Sequence, residues 1–313
     1  MSPSTPPSAT PSTPAASLID HHGLPALRIR AGDGAQATVL LHGAQLVSWI
    51  PAGGVEQLFV SPLARFAPGQ ALRGGVPVIF PQFEQRGPLP RHGFARNRAW
   101  QAVQRSQLPG HAMAVLRLTD DEATRAIWPQ AFVCELTVGI GGQRLDIELA
   151  VSHPHADGGD PTPDEAAGSD SGAASEPLRF TAALHTYLRV GELRQVRLEG
   201  LRGSRFEDAA HGGRKDVEVE SELRIEEEVD RIYLGAGRQT LLLREPGRRL
   251  AISAEGFADV VVWNPGAEKA AALADLGPQA WRQMLCVEAA QIAQPVTLAA
   301  GEEWVGRQTL VAG

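Results

Sequence analysis

The chain is poor in several things, and each shortage excludes something. It has two cysteines in 313 residues, Cys134 and Cys286, far apart and set in the apolar stretches AFVCEL and MLCVEA. Two buried thiols are expected there, with neither a disulfide framework nor metal-ligand spacing. No apolar run reaches the 18 or so residues of a membrane-spanning helix. Basic residues do not predominate: Lys plus Arg is 29 against 36 for Asp plus Glu, a net charge of −7. That balance argues against a nucleic acid or an anionic membrane as partner. GxSxG, a phosphate-binding P-loop and GxGxxG between a strand and a helix are all missing. Residues 1–17 are rich in Ser, Thr and Pro, without a basic start or an apolar core. They read as a disordered tail, not a secretion signal, so a cytoplasmic protein is expected.

What is present is a succession of short apolar or alternating runs separated by Gly-containing turns. Leu24–Ile29, Ala37–Leu41, Leu46–Ile50, His111–Leu118 and Leu250–Ala254 are examples, each predicted to be a strand. Phe132–Ile140 and Arg144–Val151 flank Gly141-Gly142 and predict a hairpin. Helix is expected only as short turns, at Asp120–Trp128, Ala270–Leu276 and Trp281–Met284. The pattern predicts an all-β sandwich, one domain over 18–313. Residues 153–177 interrupt the rhythm with Asp, Gly, Pro, Ser and Ala and predict a flexible insert. Their aspartates lack EF-hand spacing and read as solvated linker.

Three stretches carry ionisable groups in contexts that chemistry could use. In Leu72–Trp100 (LRGGVPVIFPQFEQRGPLPRHGFARNRAW) the two glycines allow close backbone approach or positive φ. Pro77 and Pro81 confine Val76–Phe80 to an edge or irregular strand. Three of its five arginines, Arg73, Arg91 and Arg96, and His92 either converge on an anion or are solvated loop residues. In FTAALHTYLRV, period-two alternation puts His185, Tyr187 and Arg189 on one face. His185 is either a satisfied core histidine or an acid. In MLCVEAA, Glu288 is either turned to solvent or buried with a raised pKa, as a general base requires.

RGGVPVIFPQF, LPRHGFAR, ALHTYLRV, DRIYL, VVWNP and CVEAA occur here in that order. Together they resemble the hexose-6-phosphate mutarotases, the glucose-6-phosphate 1-epimerases of the aldose 1-epimerase superfamily. The resemblance covers roughly Leu24 to Val311, apart from the insert, and implies a galactose-mutarotase-like β-supersandwich. It implies catalytic roles for His185 and Glu288 and substrate binding by Arg73, His92, Arg96 and Asp230. Arg91 and Gln82 are further candidates for substrate contact. Many relatives have Gln at the position of Arg91 and Trp at the position of Gly266, a departure expected to loosen one wall. The implied activity is anomer interconversion of a hexose 6-phosphate by acid–base ring opening. It needs no cofactor and no metal, and a monomer is expected. A 1-epimerase of an unphosphorylated aldose and a non-catalytic sugar-binding module are the alternatives. The acid and base are expected about a pyranose ring apart.

Overall fold

The computed structural model describes residues 16–155 and 176–313. The tail and insert assignments therefore fall largely outside the described residues. At their edges, Ala16 already opens a strand, Ala16–His21, and His153 is buried with its Nδ1 3.2 Å from the Leu298 carbonyl.

Strand accounts for 51% of the structure and helix for 10%, as an all-β reading requires. Among the described residues, antiparallel strands form sheets of four, eight and nine. The nine-stranded sheet holds the long hairpin Val133–Gly141 and Arg144–Ser152, which alternates buried and half-exposed residues along its length. Its turn lies at Gly142-Gln143, one residue later than expected, because Gly141 still pairs with Arg144. Leu136, Ile147, Leu149 and their inward neighbours meet the inner face of the eight-stranded sheet in one continuous core. Burying apolar area at about 25 cal/mol per Å² is the main stabilising term in such a sandwich.

The eight-stranded sheet carries the chemistry. At its centre is Met284–Leu298, paired with Asp259–Asn264 on one side and with Leu178–Leu184 and Tyr187–Arg189 on the other. Val287 and Ala289 point into the core, so Glu288 between them points to the opposite face. The predicted continuous strand over 178–190 is interrupted after Leu184, where the Thr186 amide bonds back to the Leu184 carbonyl. The Thr186 hydroxyl donates to Gln308 Oε1 at 2.5 Å, on the side away from His185. Further along, Arg214–Val217 and Glu222–Leu223 lie on two different sheets.

Val78–Ile79 is a two-residue edge strand pairing with Ala183 and Leu184, as the flanking prolines dictate. Gly75 before it has φ +63°, and a Cβ there would lie 2.2 Å from the Leu46 carbonyl oxygen. Only glycine lets the two chains touch at that point. Both cysteines are buried free thiols. No helix among the described residues is long and apolar enough to cross a membrane.

Candidate active site

Strand register assembles the site. Asp230 pairs with Trp263 and Trp263 with Cys286; Ile232 pairs with Val261 and Val261 with Glu288. Cys286 pairs in turn with Tyr187. Directly paired residues share a face, so four neighbouring strands bring Asp230, Trp263, Glu288 and Tyr187 to one side of the sheet. All four line one cavity of about 180 Å³, together with His185 and Ile232.

His185 and Glu288 are both buried, and His185 Nδ1 lies 3.1 Å from Glu288 Oε1. The pair is in contact, not a ring's width apart as the sequence reading supposed. Met284–Leu298 and the irregular segment before Tyr187 are immediate sheet neighbours, which allows no wider gap. The approach is off the hydrogen-bonding angle. His185 Nδ1 and Glu288 Oε2 have no hydrogen-bond partner among the described residues. Unpaired buried polar atoms are costly, and a ligand's hydroxyls can satisfy these. Burial pushes the Glu288 carboxyl well above its ordinary range, and Asp230 and Glu84 push it further, against Arg96. Burial drives the His185 imidazole well below its ordinary value, with His92, Arg96 and Arg73 acting the same way. Both shifts favour the uncharged forms, a protonated carboxyl beside a neutral imidazole.

The tilt of His185 is fixed by its neighbours. Tyr187 stacks on it with ring centres 4.7 Å apart and planes 16° apart, and Trp263 meets it edge-on at 5.9 Å. His92 stands 6.0 Å away and has the left-handed backbone φ of 63°; Glu84 has φ 49°. The two brace one another: the His92 amide donates to the Glu84 carbonyl at 3.0 Å, and the Glu84 amide to His92 Nδ1 at 3.3 Å. Backbone strain of this kind concentrates at sites that need a side chain aimed. Burial, then Arg96, Arg91 and Arg73, pushes the His92 pKa down to about 3, so it is a neutral donor or acceptor.

The arginines do converge. Arg73 and Arg96 line the cavity, and Arg91 sits at its rim in a 3.0 Å ion pair with Glu84. Arg73 Nε donates to Asp275 and its Nη1 to the Tyr187 hydroxyl at 3.2 Å. Burial opposes the charge of Arg73, yet Tyr187 and Asp275 outweigh it and raise its pKa. Arg96 donates from Nη2 to the Arg91 carbonyl at 3.1 Å, while its buried Nε has no partner among the described residues. Burial, with Arg73 and Arg91 nearby, brings its pKa down to about 10. One cavity thus carries guanidinium groups together with the acid–base pair.

Asp230 lines the same cavity. Burial holds its carboxyl up at about 6, with Lys269 Nζ 3.9 Å away pulling it back. Gln82 is placed elsewhere: its amide bonds Glu84, Leu89 and again Leu89 within the loop, and it does not line the cavity. The sequence candidate therefore organises the loop, not the ligand.

Several site residues escaped the sequence reading. Tyr187 shares the face of His185, and the alternation pointed to it. Lys269 and Asp275 had no local signal. They arrive on helix Gly266–Ala272 and the turn after it. That helix is hung from buried Asn264, whose amide nitrogen donates to the Trp281 and Met284 carbonyls and whose oxygen accepts from the Gly266 amide. Gly266 has φ +63°, and a Cβ there would lie 2.7 Å from the Glu228 amide nitrogen. A side chain larger than glycine does not fit this backbone as it stands. Among the described residues no group of three acidic, His or Cys side chains is arranged to hold a metal ion.

An antiparallel β-sandwich of this kind is the fold of the galactose-mutarotase-like structures. The family profile described as aldose 1-epimerase matches residues 25–158 and 169–310. This chain belongs to the aldose 1-epimerase family, isomerases that interconvert the anomers of an aldose. A Cenchrus ciliaris protein named "Putative glucose-6-phosphate 1-epimerase" is 35% identical over 297 residues, 93% of this chain and 85% of its own. An Escherichia coli K12 protein of the same name is 31% identical over 259 residues, 82% of this chain and 79% of its own. The crystal structure of a "putative mutarotase" from Salmonella typhimurium superposes with a TM-score of 0.83 at 27% identity, covering 96% of this chain and 94% of that one.

Proposed function

We propose that the substrate is a hexose 6-phosphate, with glucose 6-phosphate preferred. The observation that carries this reading is the presence of Arg73 and Arg96 on the same cavity as the His185–Glu288 pair. The relatives named above as glucose-6-phosphate 1-epimerases support it. A phosphate dianion accepts several charge-assisted bonds from two guanidinium groups, a role for which arginine's planar fork is well shaped.

The chemistry follows from one proton on a close pair. With the proton on His185, Glu288 is a carboxylate. It takes the proton of the anomeric hydroxyl while His185 gives its proton to the ring oxygen. The C1–O5 bond breaks, C1 becomes an aldehyde, and C1–C2 rotates. Closure on the other face returns both protons and gives the opposite anomer. A nearby phosphate dianion favours the protonated imidazole. Each proton transfer to a positioned group is typically worth 10²–10⁴-fold. His92 and Asp230 orient the sugar hydroxyls, and Arg91 flanks the entrance. The same proposal makes the enzyme a cytoplasmic monomer with a single domain over 18–313, in keeping with its two free thiols.

The test is kcat/KM for glucose 6-phosphate and for glucose in the wild type, Arg73→Ala and Arg96→Ala. The proposal expects a loss of about 10- to 100-fold confined to the phosphorylated sugar. Equal losses on both sugars favour an unphosphorylated aldose.

A further inference from the structure

We propose that Asp275 is a positioning residue that fixes which edge of the Arg73 guanidinium faces the substrate. The proposal rests on the reading of Arg73 as a phosphate ligand. Asp275 does not line the cavity, so it acts through Arg73. Both its carboxylate oxygens lie 3.3 Å from Arg73 Nε. A guanidinium has five N–H groups in a rigid plane. Asp275 occupies the Nε–H and so closes the side-on fork. Tyr187 takes one N–H of Nη1 at 3.2 Å. The indole of Trp263 lies 6.0 Å from Cζ, within reach of a cation–π contact. Three N–H groups on Nη1 and Nη2 remain, and they form the end-on fork that matches two phosphate oxygens.

The carboxylate is itself held in place. It sits in the turn that follows helix Gly266–Ala272, where the Leu273 amide donates to Ala270 at 3.1 Å and the Leu276 amide to Leu273 at 3.0 Å. Leu276 is fully buried and anchors that turn. One segment therefore brings Asp275 to Arg73 and Lys269 beside Asp230. A competing account makes Asp275 only an anion that repels phosphate. The two accounts differ in sign: positioning predicts that its loss weakens the phosphorylated substrate, and repulsion predicts that its loss strengthens it.

The experiment compares the ratio of kcat/KM for glucose 6-phosphate to that for glucose in the wild type, Asp275→Ala, Asp275→Asn, Arg73→Ala and the double variant Arg73→Ala/Asp275→Ala. Freeing one long side chain corresponds to a fall of about three- to tenfold in that ratio for Asp275→Ala, expressed in KM more than in kcat. Asp275→Asn retains an acceptor for Nε–H and is expected within about twofold of the wild type. The double variant is expected to match Arg73→Ala, since without the guanidinium there is nothing to position. An unchanged or increased ratio in Asp275→Ala overturns the proposal, as does an equal fall in Asp275→Asn. If Arg73→Ala lowers the ratio and Asp275→Ala does not, only the positioning role fails. If Arg73→Ala leaves the ratio unchanged, the phosphate reading fails and takes this proposal with it.

Discussion

Arg96 is a charge that the fold holds at a cost, and its replacement separates function from stability. Arg96→Met keeps the apolar stem and removes the guanidinium. Among the described residues the buried Nε of that group has no partner, and Nη2 makes one hydrogen bond, to the Arg91 carbonyl. Burial and the neighbouring Arg73 and Arg91 bring its pKa down from its ordinary value to about 10. At 1.36 kcal/mol per pH unit this is a destabilisation of about 3 kcal/mol. Losing the bond to Arg91 offsets about 1 kcal/mol, and partial exposure removes more. A net gain of about 1 kcal/mol is expected, or a rise of about 1–2 °C in Tm for a chain of this length. Phosphate binding moves the other way, because each lost charge-assisted bond costs about 1.5–3 kcal/mol. Ligand at a hundredfold over Kd stabilises the wild type by about 2.7 kcal/mol, and most of that increment should vanish. Thermal unfolding of both proteins with and without glucose 6-phosphate reads both effects. A variant that melts several degrees lower, or keeps the full ligand-induced rise, refutes the reasoning.

Other outcomes follow from the same geometry. Glu288→Gln should cut kcat by at least about 10²-fold with little change in Tm, since the amide cannot act as base; turnover within a few fold of the wild type removes Glu288 from that role. Asp230 has its folded pKa raised from 3.8 to about 6, so the folded state binds the proton more tightly than the unfolded chain. Its contribution to stability is therefore present in acid and lost as pH rises through that window. Between about pH 4 and about pH 6 the wild type should lose more stability than Asp230→Asn, and parallel Tm curves would count against this. Gly266→Ala should destabilise by about 1–2 kcal/mol from the left-handed backbone alone, and more from the contact with Glu228. Urea unfolding with an unchanged midpoint would contradict it.

Much of the fold was legible because the signals were local. Alternation in Arg144–Ser152 and Leu24–Arg30, and the prolines around Val78–Ile79, each specify a strand without help from distant residues. The face shared by His185 and Tyr187 also survived the break at Thr186, because the two rings still stack. What failed depended on partners remote in sequence. The close approach of His185 and Glu288 is set by register between strands about a hundred residues apart. Asp275 meets Arg73 only because Asn264 anchors a helix whose own residues give no hint of it. Gln82, in the motif RGGVPVIFPQF, was a further candidate for substrate contact. Its geometry as a loop brace depends on where the Leu89 amide and carbonyl fall.

The central claim is that the His185–Glu288 pair turns over a sugar whose phosphate is gripped by Arg73 and Arg96. Two-dimensional exchange NMR on the wild-type enzyme, with glucose 6-phosphate and glucose at equal concentration in one tube, tests it directly. The account predicts strong cross-peaks between the anomeric signals of glucose 6-phosphate at enzyme levels where those of glucose remain near the uncatalysed rate. Equal catalysis of both sugars, or faster exchange of glucose, would contradict it.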